Sequence, residues 1–216
     1  RGRALQLWAR GAVRVLGVRV SVAGSLGRAP CLLVANHLSY LDVVLLASLQ
    51  PCAFVAKSEV ARWPLIGFLA RTMGTLFVER GRKRDLPRLA RELGALLGAG
   101  HSVVLFPEGT SSAGAGVRAF HPALLQPAVE LGVPVHTATL RYRTAPGDPP
   151  AELAVCWWGE MTFVPHFVQL LQLRPFEAQL TLGAAALHDT DRKRLARRLQ
   201  REVARHLGLA VEVQHA

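Results

Sequence analysis

Residues 31–42 read CLLVANHLSYLD, and the rest of the sequence is best interpreted outward from this stretch. The apolar run at 31–35 predicts a short buried strand, and a helical pattern follows it. His37 comes directly after the strand, and Asp42 lies five residues further on. Because five residues on a helix are roughly 140° apart, the two side chains can meet only if His37 lies in the turn and Asp42 in the first helical turn.

The His37–Asp42 spacing has two interpretations. An imidazole that is held by a carboxylate can act as a general base near neutral pH. Alternatively, Ser39 and Asp42 form only a helix-capping pattern, with Ser39 as the predicted N-cap, and His37 is an ordinary loop histidine. The residues that follow the other predicted strands help to choose between the two.

The composition predicts one sizeable α/β domain that works beside an anionic partner. The chain has 216 residues, half of them hydrophobic, yet no apolar run reaches the ~18 residues that a membrane span needs. The formal net charge is +11, and only 6% of residues are aromatic. Basic residues do not alternate with aromatic ones, so a membrane surface is a better partner than nucleic acid.

The three cysteines, Cys31, Cys52 and Cys156, lie in apolar runs and are expected to be buried free thiols in a reducing compartment. No close cluster of histidine and cysteine indicates a metal site. We therefore expect neither a metal nor a bound cofactor.

Strand patterns alternate with helical patterns along most of the chain. This alternation predicts an α/β fold with a largely parallel sheet of about seven strands, flanked by helices. The strand patterns lie at 18–22, 31–35, 52–56, 74–78, 102–106, 133–140, 153–158 and 176–182. We expect a single domain over residues 17–216, with Thr190 or Asp191 as the cap of its final helix.

The first 16 residues predict a separate N-terminal amphipathic helix that faces the membrane. Leu5, Trp8, Ala12 and Val15 recur at helical spacing, with arginines on the other faces. Such a helix could lie on a membrane interface, and it could equally pack on the core. The chain begins at Arg1 without a methionine, so an upstream membrane anchor could precede it.

Polar residues follow four successive strands of the predicted sheet. His37, Lys57, Arg80 and Glu108 each come at the carboxyl end of a strand, and ligands of parallel α/β sheets bind at that edge. Arg80 begins a run with four cations in five residues, at 80–84, which would suit a phosphate or a carboxylate. Four candidate groups at successive strand ends favour a catalytic site over isolated structural residues.

These residues, in this order, resemble the PlsC-type glycerolipid acyltransferase family, which includes 1-acylglycerol-3-phosphate and lyso-ornithine lipid acyltransferases. Four blocks carry the resemblance. They are the NHx4D block at 36–42, a block ending in arginine at 74–80, the FPEGT block at 106–110 and a short apolar-proline block at 133–135.

The resemblance implies transfer of a fatty acyl group from acyl-CoA or acyl carrier protein to the hydroxyl of a lysolipid. His37 would be the general base and Asp42 would orient it. Substrate would bind at Asn36, Arg80, Glu108, Gly109 and Thr110, with Arg80 on the anionic head group. Backbone amides of the elbow and of the Glu108–Gly109 turn could stabilise the oxyanion.

One departure from the family pattern concerns the acceptor. Arginine usually follows the third block, and Ser111 stands at that position. Lyso-ornithine lipid acyltransferases also lack this arginine, and they resemble the chain at 158–163. We expect 1-acylglycerol-3-phosphate as the acceptor, with lyso-ornithine lipid as the alternative.

Two other functions compete with acyl transfer. A lipid hydrolase is disfavoured because the sequence has no G-x-S-x-G elbow. A non-catalytic, basic membrane-binding module is disfavoured by the intact His37, Asp42, Arg80 and Glu108. We expect an enzyme of membrane lipid biosynthesis on the cytoplasmic face of the inner membrane, either peripheral or anchored by a segment outside these residues.

Overall fold

The computed structural model of the chain describes residues 2–25, 30–62, 67, 70–71, 74–79 and 85–211. A seven-stranded sheet forms the centre of this part. Its strands are β1 (Arg19–Ala23), β2 (Leu32–Ala35), β3 (Cys52–Lys57), β4 (Leu76–Val78), β5 (Ser102–Leu105), β6 (Val135–Arg143) and β7 (Glu177–Leu182). Their spatial order is β1-β7-β6-β2-β5-β3-β4.

Most neighbouring strands run parallel, which confirms the predicted α/β fold. The five strands from β6 to β4 share one direction, and β6 pairs with β7 in the antiparallel sense. β1 joins the far edge parallel to β7. The central strand β2 and its neighbour β5 are buried along their whole length, and this burial explains why their sequences are largely apolar rather than alternating.

Helices cover both faces of the sheet. They are α1 (Gly2–Val15), α2 (Leu41–Leu49), α3 (Asp85–Gly98), α4 (Gln126–Glu130), α5 (Ala151–Ala154), α6 (Phe163–Leu171) and α7 (Arg192–Leu207), with 3₁₀ turns at Ser58–Arg62 and Pro122–Leu125. One apolar core lies between the sheet and α1, α2 and α6, and a second lies between the sheet and α3 and α7. The predicted cap of the last helix is confirmed, because the Asp191 side chain accepts a 2.6 Å bond from the amide of Arg194.

Helix α1 packs against α2 and also keeps an apolar outer face. Leu5 and Ala9 are buried in the core, whereas Leu7, Trp8 and Val15 are exposed. The predicted stripe is therefore wrong in detail, since Leu5 faces inward while Trp8 and Val15 face outward. Within the described residues no helix combines the length and apolar character that crossing a bilayer requires.

The predicted strand at 153–158 is wrong. Helix α5 begins directly after Pro150, and the chain then leaves the helix without entering the sheet. A short apolar run is compatible with either structure, and a proline at its start favours a helix. The amide of Trp157 instead donates a 2.8 Å bond to the carbonyl of Leu38, so this segment lies against the turn after β2.

The three cysteines are buried and free, as predicted. The predicted cation run at 80–84 lies outside the described residues.

Candidate active site

His37 and Asp42 meet at the elbow between β2 and α2. The strand ends at Ala35 and the helix begins at Leu41, so His37 lies in the turn and Asp42 in the first helical turn. Nδ1 of His37 lies 2.8 Å from Oδ2 of Asp42. The geometry that the five-residue spacing required is therefore present.

The carboxylate of Asp42 is closed to solvent and accepts four hydrogen bonds. Oδ2 accepts hydrogen bonds from the His37 ring and from the amides of Leu38, at 2.7 Å, and Ser39, at 3.0 Å. Oδ1 receives the hydroxyl of Tyr142 at 2.6 Å. Four donors suit an ionised carboxylate, which only accepts, so the proton between the two side chains belongs on Nδ1 of His37. Nε2 is then the nitrogen that can take a proton from a substrate.

The N-cap predicted at Ser39 is wrong. Helix α2 begins after Tyr40, and no side chain caps it there. The Ser39 hydroxyl is buried and has no hydrogen-bond partner among the described residues. The carboxylate of Asp42 reaches back to the Ser39 amide, so a single group both orders this turn and holds the imidazole.

The ring of His37 is held on a second side by Phe106. The two rings stack with centroids 4.2 Å apart and an angle of 19° between their planes. The His37 side chain keeps 21% of its surface exposed, whereas Asp42 keeps none. His37 can therefore contact a substrate while Asp42 remains shielded from solvent. Electrostatic interactions are stronger in such a site than in water.

Glu108 joins the turn after β5 to the elbow through backbone bonds. Its Oε1 accepts from the amide of His37 at 2.9 Å, and its Oε2 accepts from the amide of Arg118 at 3.2 Å. Burial raises the pKa of Glu108 to about 8, and these two amide bonds oppose the shift. Glu108 thus fixes the position of His37 from the neighbouring strand.

Gly109 and Thr110 complete the turn beside Glu108. Gly109 is buried and has a φ of 77°, a conformation that glycine adopts without strain. Thr110 is exposed at the edge of the sheet, where a substrate can reach it.

Four of the amides in the segments predicted to stabilise an oxyanion are already bonded. Those of His37, Leu38 and Ser39 donate to carboxylates, and that of Gly109 donates to the carbonyl of Phe106. These four amides are structural in this respect, and an oxyanion donor among the other amides of the two segments remains a prediction.

Asn36 connects β2 to β6 through both ends of its amide. Its Nδ2 donates to the carbonyl of Leu140 at 3.0 Å, and its Oδ1 accepts from the amide of Leu140 at 2.8 Å. Its predicted contact with substrate remains a prediction. Lys57 is the last residue of β3, at the same edge of the sheet, and Arg80 lies outside the described residues.

Two contacts that sequence reasoning missed complete the surroundings of the elbow. Tyr142, at the end of β6, is buried and reaches Asp42 from a strand that follows it by 100 residues. Ser111 is also buried, and its hydroxyl donates to the carbonyl of Trp157, whose amide bonds the elbow. No local pattern marks either contact, because each depends on which distant segments become neighbours.

Comparison with known proteins identifies the family of the chain. The Acyltransferase family profile matches residues 17–141. Lyso-ornithine lipid O-acyltransferases from Pseudomonas aeruginosa and Rhizobium meliloti are each 35% identical, over 94% and 93% of this chain and 78% and 73% of their own lengths. A 1-acyl-sn-glycerol-3-phosphate acyltransferase from Neisseria gonorrhoeae is 34% identical over 73% of this chain and 66% of its own length.

The fold is similar to that of a solved enzyme. The crystal structure of the 1-acyl-sn-glycerophosphate acyltransferase PlsC from Thermotoga maritima matches with a TM-score of 0.66 at 20% identity, covering 96% of this chain and 78% of that one. The chain belongs to the Acyltransferase family and is an acyltransferase of the lysophospholipid type.

Proposed function

We propose that the chain transfers a fatty acyl group from an acyl thioester to the free hydroxyl of a lysolipid, with His37 as the general base. The observation that carries the proposal is the 2.8 Å contact between Nδ1 of His37 and the buried Asp42, which leaves Nε2 on a partly open ring. A hydroxyl has a pKa far above 7, so it needs such a base as it attacks.

The reaction proceeds by addition and elimination at the thioester carbonyl. Nε2 of His37 takes the hydroxyl proton while the oxygen bonds to the carbonyl carbon, and Asp42 stabilises the imidazolium that forms. The carbon–sulfur bond then breaks, and the sulfur leaves with the proton from Nε2 as a free thiol. The ester product and neutral His37 remain, so no serine or cysteine nucleophile is needed.

For the acceptor we place lyso-ornithine lipid ahead of 1-acylglycerol-3-phosphate, reversing the order expected from the sequence. The Pseudomonas and Rhizobium relatives with the first name match over 94% and 93% of the chain, and the Neisseria gonorrhoeae relative with the second name matches over 73%. The hydroxyl of Ser111, at the position where the family usually has arginine, is bonded to Trp157. These two observations favour an acceptor other than a phosphate monoester.

The proposed place of action is the surface of a membrane, on its cytoplasmic side. Leu7, Trp8 and Val15 form an exposed apolar face on α1, and the chain carries a net charge of +11. An apolar helix face beside arginines binds anionic bilayers. Leu7→Ser should weaken flotation with vesicles that contain anionic lipid. Leu131→Ser, at an exposed leucine outside α1, is the matched control, and equal binding by both variants would contradict this role.

Direct assay of the reaction tests the function. The purified chain receives labelled acyl-CoA or acyl carrier protein, together with lyso-ornithine lipid, lysophosphatidate or no acceptor, and products are identified by mass spectrometry. We expect a diacylated lipid and one free thiol per turnover. Release of free fatty acid without an acceptor would indicate a hydrolase. Vesicle binding without turnover of any donor would indicate a membrane-binding module.

A further inference from the structure

A cavity of about 400 Å³ opens beside the elbow at the carboxyl end of β6. Its lining includes Asn36 and Leu38, the residues on either side of His37. The mechanism above assigns no role to this space. Its position next to the base makes it a candidate for the part of a substrate that lies near the reacting hydroxyl.

Hydrogen bonds tie the walls of the cavity to the elbow. Asn36 holds the backbone of Leu140 at 2.8 and 3.0 Å, and the next residue of β6, Arg141, lines the cavity. On another side, residues 113–116 form a wall of alanine and glycine. The amide of Ser112, just before this wall, donates a 3.0 Å bond to the carbonyl of His37. A ligand in the cavity would therefore be held at a fixed position relative to His37.

Arg141 gives the cavity a cation that lacks an acidic partner. Its side chain is half-buried, and one guanidinium nitrogen donates to the carbonyl of Leu207, which fixes its direction. Across the part of the chain that the structure describes, no carboxylate forms an ion pair with it. Its neighbour across the strands, Gln179 of β7, is neutral. A half-buried guanidinium of this kind is well suited to bind an anion.

The cavity also has an acidic residue in its lining. Glu152, in the first turn of α5, lines it, and its backbone carbonyl is held at 2.9 Å by the indole of Trp158. The Glu152 side chain is exposed and makes no ion pair with any described residue. A second cation, Arg143, lines the cavity too, but it stands opposite Glu177 of β7 in the sheet. The cavity is thus lined by two arginines, Arg141 and Arg143, and by the acidic Glu152.

We propose that this cavity binds the polar head of the lysolipid acceptor, and that Arg141 and Glu152 select a zwitterionic head with one carboxylate and one ammonium group. Arg141 would pair with the carboxylate and Glu152 with the ammonium. The inference rests on the proposed function and specifies its acceptor. An ornithine head whose α-amine is acylated carries these two charges, because its carboxyl is ionised and its side-chain amine is protonated at neutral pH.

A phosphate monoester fits the same groups less well. It carries a charge of about −1.5 to −2 at pH 7 and has no cation to offer Glu152. The carboxylate would then repel the ligand that Arg141 attracts. The phosphates of an acyl-CoA donor meet the same objection, so the mixed charge favours the acceptor over the donor.

Steady-state kinetics of two variants test the assignment. Arg141→Gln should raise the acceptor KM for lyso-ornithine lipid and lysophosphatidate by about tenfold or more, because a bond to a charged group is lost, and the KM for acyl-CoA should not change. Glu152→Gln should lower kcat/KM for lyso-ornithine lipid about tenfold. The same variant should leave kcat/KM for lysophosphatidate unchanged or raise it. Arg197→Gln removes an equal charge at an exposed position of α7, and it should leave KM and kcat/KM unchanged for both acceptors.

The outcomes separate this inference from the proposed function. If Glu152→Gln lowers kcat/KM equally for both acceptors, or for neither, the cavity does not select a zwitterionic head. If Arg141→Gln raises the KM for acyl-CoA and not for the acceptor, the cavity belongs to the donor. If Arg141→Gln fails to fold, the kinetics of Glu152→Gln still decide the question, because the Glu152 side chain is exposed. A wild-type chain that acylates neither lipid overturns the proposed function itself.

Discussion

The hydroxyl of Tyr142 donates a 2.6 Å hydrogen bond to Oδ1 of Asp42, and both side chains are buried. Oδ2 of the same carboxylate bonds Nδ1 of His37. Tyr142 therefore acts on the candidate base through Asp42 and does not touch the imidazole. Burial raises the pKa of Tyr142 well above its ordinary value, so the phenol remains a donor at every pH at which the chain works.

Replacing Tyr142 with phenylalanine should reduce turnover and stability together. The lost bond to a charged group should cost about 1.5–3 kcal/mol in the free energy of unfolding. We expect kcat to fall roughly tenfold, because the carboxylate that orients His37 loses one of its supports. With one donor fewer, Asp42 should hold the imidazolium more strongly, and the acidic limb of the pH–rate profile should move to higher pH.

Tyr40→Phe provides the matched control for Tyr142→Phe. The hydroxyl of Tyr40 lies 3.0 Å from Nδ1 of His166, so this variant also removes a hydrogen bond of a tyrosine but leaves Asp42 intact. It should lower stability without moving the pH–rate profile. If the two variants shift the profile equally, the effect of Tyr142 is structural and the positioning role is wrong.

Glu108 should make the stability of the chain fall as the pH rises. Burial raises its pKa from 4.5 to about 8, so in that window the folded chain holds a proton that the unfolded chain has lost. The free energy of unfolding therefore decreases with pH across the window. Glu108→Gln cannot ionise, so urea denaturation should give a flatter dependence on pH for this variant than for the wild type.

The Glu108→Gln variant should also be less stable at the acidic end of this range. Its amide nitrogen cannot accept from one of the two backbone amides, those of His37 and Arg118, that the carboxyl oxygens now serve. Glu130→Gln, at an exposed position of α4, should keep the wild-type slope. A wild-type slope in Glu108→Gln would contradict a protonated, buried Glu108.

Asn36→Asp should destabilise the junction of β2 and β6. The Asn36 amide donates to the Leu140 carbonyl and accepts from the Leu140 amide. A carboxylate cannot donate, and it would face that carbonyl in a buried site. We expect a loss of about 2 kcal/mol or more, measured as a lower urea midpoint. An unchanged midpoint would contradict this role of Asn36.

The elbow could be predicted from the sequence because its parts are local. A buried strand, a histidine and an aspartate within twelve residues leave few geometries, and only one of them brings Nδ1 of His37 to Asp42. The parallel direction of most strands could also be predicted, because strand patterns alternate with helical patterns along the sequence. Glu108 was expected at the same edge of the sheet because it follows the neighbouring strand β5.

The remaining contacts could not be predicted because they depend on which distant segments meet. Tyr142 reaches Asp42, and Leu140 reaches Asn36, only because β6 pairs with β2 across about a hundred residues of chain. The apolar run at 153–158 was wrong as a strand for the same reason. Its periodicity fits a strand, but the backbone amide of Trp157 bonds the elbow and not the sheet.

The most direct test of the account is the rate of acyl transfer by His37→Ala. The variant loses the base but keeps Asp42 bonded to the amides of Leu38 and Ser39 and to Tyr142, so its circular dichroism should match the wild type. With labelled acyl-CoA and lysolipid, we predict a loss of about 10²–10⁴-fold in kcat, and His101→Ala, at an exposed histidine far from the elbow in sequence, should retain the wild-type rate. A folded His37→Ala chain with near-normal turnover would show that the imidazole is not the base.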